Sequence, residues 1–180
     1  TNYNECGGSN TVLWEYTDEC NRTIAHTQNV TVQPAPTAQW INPPPTSISL
    51  SCEEASNYTI PDLAYSNGET GNCEIAGSAP GSIQSGSFNE CGGTQLITWS
   101  FTDNCGNRIE YTQEITVAPA PAAQWINPPT NITLSCEEAE TYTIPNLAYS
   151  NNQSGVCAIE GTAVPNISGS FTECGGTQLI

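Results

Sequence analysis

A segment of about 85 residues recurs along this chain, and no other feature restricts its folding so strongly. Cys6, Cys91 and Cys174 each open a Cys-Gly-Gly step. "AQWINPP" begins at Ala38 and again at Ala123, "LSCEEA" at Leu50 and Leu134, and "LAYSN" at Leu63 and Leu147. A unit of this length exceeds helical and leucine-rich solenoid repeats and suffices for a small domain with its own core. The chain therefore reads as a tandem array: the C-terminal hairpin of a preceding repeat (1–34), a complete repeat (35–119) and the N-terminal part of the next (120–180).

The strands are legible from alternation. In Gln95–Thr102, Ile97, Trp99 and Phe101 share one face, and Thr98, Ser100 and Thr102 the other, which is the period-2 pattern of a half-buried strand. The preceding copy matches Trp99 with Trp14 and Phe101 with Tyr16. "DNCGN" follows as a turn, and "RIEYTQEITV" alternates again, so an antiparallel hairpin is expected. "ISLSC", "YTIPDLAYS" and "CEIAGS" read as further short strands, with Pro61 at an edge or a bulge. No helix is expected. About seven short strands per repeat predict an all-β fold of tandem immunoglobulin-like antiparallel β-sandwiches.

An aromatic–Thr–Asp turn, the closing strand "YTQEITV" and a Pro-rich joint together resemble the hyalin-repeat (HYR) and HYR-like families. "SCEEA", "ECGG" and the Lys-poor, Thr/Asn-rich composition are similar to HYR-like repeats of very large Bacteroidetes surface proteins. Those are adhesin and gliding-motility proteins exported by the type 9 secretion system. The resemblance implies an extracellular, non-enzymatic adhesive or fibrous protein. "TDEC" before Asn21 lacks the turn glycine of the other copy, so a different turn is expected there.

Nine cysteines with no Cys-x-x-Cys spacing read as disulfides of an oxidising compartment, not as zinc ligands. Cys91 and Cys105 flank one strand, and Cys52 and Cys73 flank another; a strand of about eight residues spans more than about 20 Å, while bridged Cα atoms sit within about 7 Å. Matching strand ends within one repeat predicts Cys52–Cys91 and Cys73–Cys105, and in the next copy Cys136–Cys174. Cys157, Cys6 and Cys20 would find partners in further repeats.

Catalytic chemistry finds no footing. The lone His26 aligns with Tyr111 and reads as a strand residue; Glu53–Glu54 and Glu137–Glu138 read as solvated turns. The Gly-Gly steps lack a following Lys-Ser/Thr and helix, so they read as turns requiring positive φ. Asp18 and Asp103 are placed to cap the hairpin turns, and a calcium site there would need more oxygen ligands than lie nearby. No enzyme activity, cofactor or metal site is expected. The formal net charge of −16, with only Arg22 and Arg108 basic, opposes nucleic acid and anionic membranes and keeps a long polymer soluble. No apolar run approaches a membrane span.

The joints "VQPAPTAQWINPPPTS" and "VAPAPAAQWINPPTN" predict short semi-rigid spacers. Trp40 and Trp125 follow them, as core residues or as wedges between units. Two functions remain: a structural or adhesive segment of a long cell-surface filament whose partners are neighbouring repeats, or a module binding a glycan or protein through its loops. Similar loops in both copies favour the first. Thr1–Val32 and Ala123–Ile180 could complete one another between chains by strand donation. A longer continuous array is expected instead, because Cys6 and Cys174 would then compete for Cys136.

Overall fold

The computed structural model describes residues 3–172 and 175–179. It is β-rich, with fourteen strands among the described residues. Strands β1 (Gly8–Thr17) and β2 (Thr23–Val32) form an antiparallel hairpin with Trp14 opposite His26. Strands β3 (Gln39–Trp40), β5 (Leu63–Ser66) and β6 (Ala76–Ala79) form an antiparallel sheet in the order β3-β5-β6. Strands β4 (Ser47–Leu50), β7 (Ser82–Asn89), β8 (Gly92–Thr102) and β9 (Arg108–Val117) form a second, ordered β4-β9-β8-β7. The next copy repeats the first of these sheets as β10 (Gln124–Trp125), β11 (Leu147–Ser150) and β12 (Glu160–Ala163). It then forms the hairpin β13 (Ser168–Thr172)–β14 (Gly175–Leu179).

Two short helices correct the all-strand expectation. Helices α1 (Cys52–Ser56) and α2 (Cys136–Thr141) occupy the "SCEEA" segments. Each opens with a reciprocal capping box: the Ser51 hydroxyl accepts from Glu54 N–H, and the Glu54 carboxylate accepts from Ser51 N–H at 2.8 Å. Ser135 and Glu138 repeat this arrangement. Two orphan N–H groups are thereby satisfied in a segment too short for its periodicity to register. The paired glutamates thus lie in a helical first turn, where carboxylates oppose the helix dipole favourably.

The chain divides into two compact units, each built from non-contiguous segments. The first comprises Thr1–Ile48, Thr59–Gly86 and Gln95–Ile115; the second comprises Ser49–Tyr58, Ser87–Thr94 and Thr116–Ile180. In the first unit, Ala38, Tyr65, Ile75 and Ala79 form a buried cluster against which Trp40, Phe101 and Ile109 pack. Tyr65 stacks on Phe101 with ring centroids 3.9 Å apart, and Trp40 meets Tyr65 edge-on. Trp99 is fully buried, and its indole N–H donates to the Pro61 carbonyl at 2.8 Å. Pro61 therefore precedes β5 and serves as an acceptor. The Pro44 and Pro45 carbonyls accept from the Tyr111 hydroxyl and, at 2.8 Å, from the Gln113 amide. The proline run is thereby fixed against β9, and the buried Gln113 has a partner, as a buried amide requires.

Candidate functional site: the cysteine staples

Turn chemistry presents the cysteines. Before β8, the Asn89 side chain accepts from Cys91 N–H at 2.9 Å; before β1, Asn4 does the same for Cys6 at 3.0 Å. The following glycines, Gly7 and Gly92, have φ of 82° and 83°. A Cβ on either would lie 2.5 Å from the Val32 or Val117 carbonyl oxygen. The step therefore demands glycine both for its φ and for the close approach of the backbone, as the sequence indicated.

The second class sits in the hairpin turns. The Asp103 carboxylate accepts from the N–H groups of Cys105 at 2.9 Å and Asn107 at 2.8 Å, and from the Asn107 amide. That amide, followed by the backbone N–H groups of Asn107, Cys105 and Gly106, holds the Asp103 carboxyl below its ordinary range. Asp18 accepts from Cys20 N–H and Arg22 N–H at 2.9 Å and pairs with the Arg22 guanidinium at 2.6 Å. The expectation of a different turn at "TDEC" is corrected. Asn21 takes φ of 60° where Gly106 takes 86°, and the same backbone bonds close both turns. Asparagine is the residue that best replaces glycine in that region.

The third and fourth classes are the first residue of each capped helix (Cys52, Cys136) and the last residue of a single 3-10 turn (Gly71–Cys73, Gly155–Cys157). An asparagine that the sequence reading passed over shapes this last site. The Asn67 amide donates to the carbonyls of Cys73 (2.8 Å) and Pro36 (3.3 Å), and its oxygen accepts from Ile75 (3.0 Å) and Glu69 (3.1 Å). Asn151 repeats all four bonds with Cys157, Pro121, Ile159 and Gln153. One side chain thus ties the proline joint to the cysteine turn. The recurrence of "LAYSN" was the available signal.

The pairing differs from the expected one. Cys6 bonds Cys105, with Cα atoms 5.3 Å apart, and Cys52 bonds Cys157 at 5.9 Å. Cys52 is therefore not joined to Cys91, nor Cys73 to Cys105. Cys20, Cys73, Cys91 and Cys136 carry free thiols, and Cys174 lies outside the described residues. Sequence separations of 99 and 105 exceed the repeat length, so each bridge joins one copy to the next. The Cys6–Cys105 bridge lies within the first compact unit and the Cys52–Cys157 bridge within the second. The expectation had Cys52 in the right neighbourhood, since its sulfur lies 3.6 Å from the Asn89 carbonyl, two residues from Cys91. Cys91 is exposed, however, and the 3-10 turn of the following copy supplies the bonding sulfur. Cys6 is engaged by Cys105, so the competition for Cys136 that opposed strand donation does not arise. In the chain-entropy treatment, closing a loop of about 100 residues contributes about 4.7 kcal/mol.

The aromatic positions show how differently the copies are covered. Trp99 is 0% exposed and its counterpart Trp14 is 51% exposed. Trp14 packs beside His26 across the β1–β2 hairpin, with ring centroids 5.7 Å apart, as Trp99 does beside Tyr111. Trp125 meets Tyr149 edge-on, as Trp40 meets Tyr65, yet Trp125 is exposed.

Disulfides form and persist in oxidising compartments, and the two bridges place the chain in a non-reducing environment. Among the described residues, no helix is long and apolar enough to cross a membrane, and no group of three or more His, Cys, Asp or Glu is arranged to hold a metal. No protein-family model, curated protein or solved structure matches the chain.

Proposed function

We propose that this chain is a segment of a long extracellular filament or stalk at a cell surface. In this reading its tandem units are Ig-like sandwiches of the HYR-like kind, and its role is structural or adhesive. The observation that carries the reading is the pair of bridges whose spans exceed the repeat length. A protein that works as separate modules needs no covalent tie between successive copies. One that transmits tension along its length gains from it, because no copy can unravel without loading its neighbour.

Three further features support the reading. Successive copies preserve the same turns, capping boxes and asparagine networks, so their loops have not diverged toward separate ligands. The net charge of −16 opposes self-association of an extended polymer. The composition and turn motifs resemble those of large surface adhesins.

Antibody raised against the chain is expected to label intact, unpermeabilised source cells. Deleting the repeats in frame is expected to weaken surface attachment or movement without stopping export of the remaining protein. Labelling confined to permeabilised cells would overturn the proposal.

A further inference from the structure

We propose that Cys20, Cys73, Cys91 and Cys136 are half-staples, each bonded in the working protein to the complementary cysteine of an adjoining repeat in the same polypeptide. This rests on the tandem-array reading above and adds a connectivity to it.

The first support is geometric equivalence. Each free cysteine is presented as its bonded counterpart is. Cys91 sits in the same asparagine-held Gly-Gly step as Cys6, and Cys20 in the same aspartate-held turn as Cys105. Cys136 opens a helix with the same capping box as Cys52, and Cys73 closes the same 3-10 turn as Cys157. What differs is the position of the partner. The two bridges define a rule: a Gly-Gly cysteine bonds the hairpin-turn cysteine 99 residues later, and a helix cysteine bonds the 3-10 cysteine 105 residues later. Within residues 1–180 that rule is satisfied by Cys6–Cys105 and Cys52–Cys157 alone. For each of the four free thiols, the required partner falls outside this stretch.

The second support is independent of sulfur. The β1–β2 hairpin exposes Val12 (37%), Trp14 (51%) and Val30 (41%), whereas Ile97, Trp99 and Ile115 at the matching strand positions are 1% exposed or less. What covers Trp99 is known from the structure. Pro61 accepts its indole N–H, and a Cβ on Gly81 would lie 2.5 Å from both Trp99 and Ile60. The uncovered hairpin therefore lacks a segment like Ile60–Gly81. Conversely, among the described residues Tyr149 has its edge-on Trp125 but no stacked ring of the kind Phe101 provides for Tyr65. The two apolar faces call for the same occupant as the thiols, another copy of this repeat. A second separate chain fits that place poorly. Its own Gly7–Thr11 would occupy the repeat position that Gly175–Leu179 already fills.

The test is peptide mapping of the full-length protein, harvested under alkylating conditions and digested without reduction. The expected result is four bridges of matching class: Cys20 to a Gly-Gly cysteine, Cys91 to a hairpin-turn cysteine, Cys73 to a helix cysteine and Cys136 to a 3-10 cysteine. The undigested protein should migrate as one polypeptide on a non-reducing gel. Alkylation of these four thiols, bridges among themselves or to other classes, or bridges between separate polypeptides would each overturn the proposal. None of those results would alter surface labelling of intact cells, so the array reading stands or falls separately.

Discussion

Mechanical extension of the 180-residue chain distinguishes the observed bridges from any repeat-by-repeat pairing. With both bridges intact, the shortest covalent route from end to end follows the backbone to Cys52, crosses to Cys157 and continues to Ile180. The Cys6–Cys105 bridge lies slack beside that route, because the two loops interleave and their spans do not add. The length hidden from the pulling force is therefore the Cys52–Cys157 separation of 105 residues. At about 3.3–3.6 Å per extended residue, that is about 350 Å. The alternative pairing of Cys52–Cys91, Cys73–Cys105 and Cys136–Cys174 hides about 77 residues, or about 260 Å. Single-molecule pulling on the chain between inert handles, with and without dithiothreitol, reads the difference in fully extended length. An increment of about 350 Å on reduction is expected. A value of about 260 Å would refute the interleaved connectivity, and no increment would refute the bridges altogether.

Replacing Trp99 by Ala is expected to destabilise by about 3–5 kcal/mol through loss of a buried aromatic, while Trp14→Ala should change stability by about 0.5 kcal/mol or less; denaturant midpoints of the two variants check this. Asn67→Ala leaves two N–H groups and two carbonyls without their partner and is expected to cost about 2–4 kcal/mol, with faster alkylation of Cys73 as a local readout. The Asp103 carboxyl is held below its ordinary value by its bonds to Asn107 and the turn N–H groups, so it stabilises the fold above the unfolded value, near pH 4, and that contribution is lost as pH falls through the lowered folded value. Thermal melts of wild type and Asp103→Ala should accordingly differ at pH 7 and converge toward pH 2; a gap that persists at pH 2 would contradict the assignment.

Local features were legible and long-range ones were not. The alternation at Ile97, Trp99 and Phe101 identified β8, and "RIEYTQEITV" coincides with β9, because side-chain period reports the solvent and core faces of a strand directly. Positive φ at the Gly-Gly step and the aspartate-capped turns were likewise encoded within a few residues. The helices were missed because five or six residues carry no periodic signal, although Ser51 and Glu54, three apart, already spelled a capping box. The turn at Asn21 departs from the expectation because asparagine shares glycine's access to the left-handed region, with φ of 60° there. The disulfides needed knowledge that no local pattern contains. Strand topology said at which end of a strand Cys52 lies, but not that the neighbouring sulfur comes from the next copy. The recurrence of "LAYSN" marks Asn67 and Asn151, but nothing within the segment reveals that this side chain bonds one carbonyl six residues on and another, in the proline joint, 31 or 30 residues back.

The interleaving of the two loops also bears on damage. Every peptide bond from Cys6 to Cys157 lies inside at least one bridged loop, and those from Cys52 to Cys105 lie inside two. A single cut by a protease anywhere in that span leaves both fragments covalently attached. Two cuts release a piece only when no bridge ties it to the remainder, and a piece containing any one of the four bonded cysteines without its partner stays tethered. Surface-exposed loops such as that between β5 and β6 can thus be nicked without severing the strand of protein that holds its two ends together.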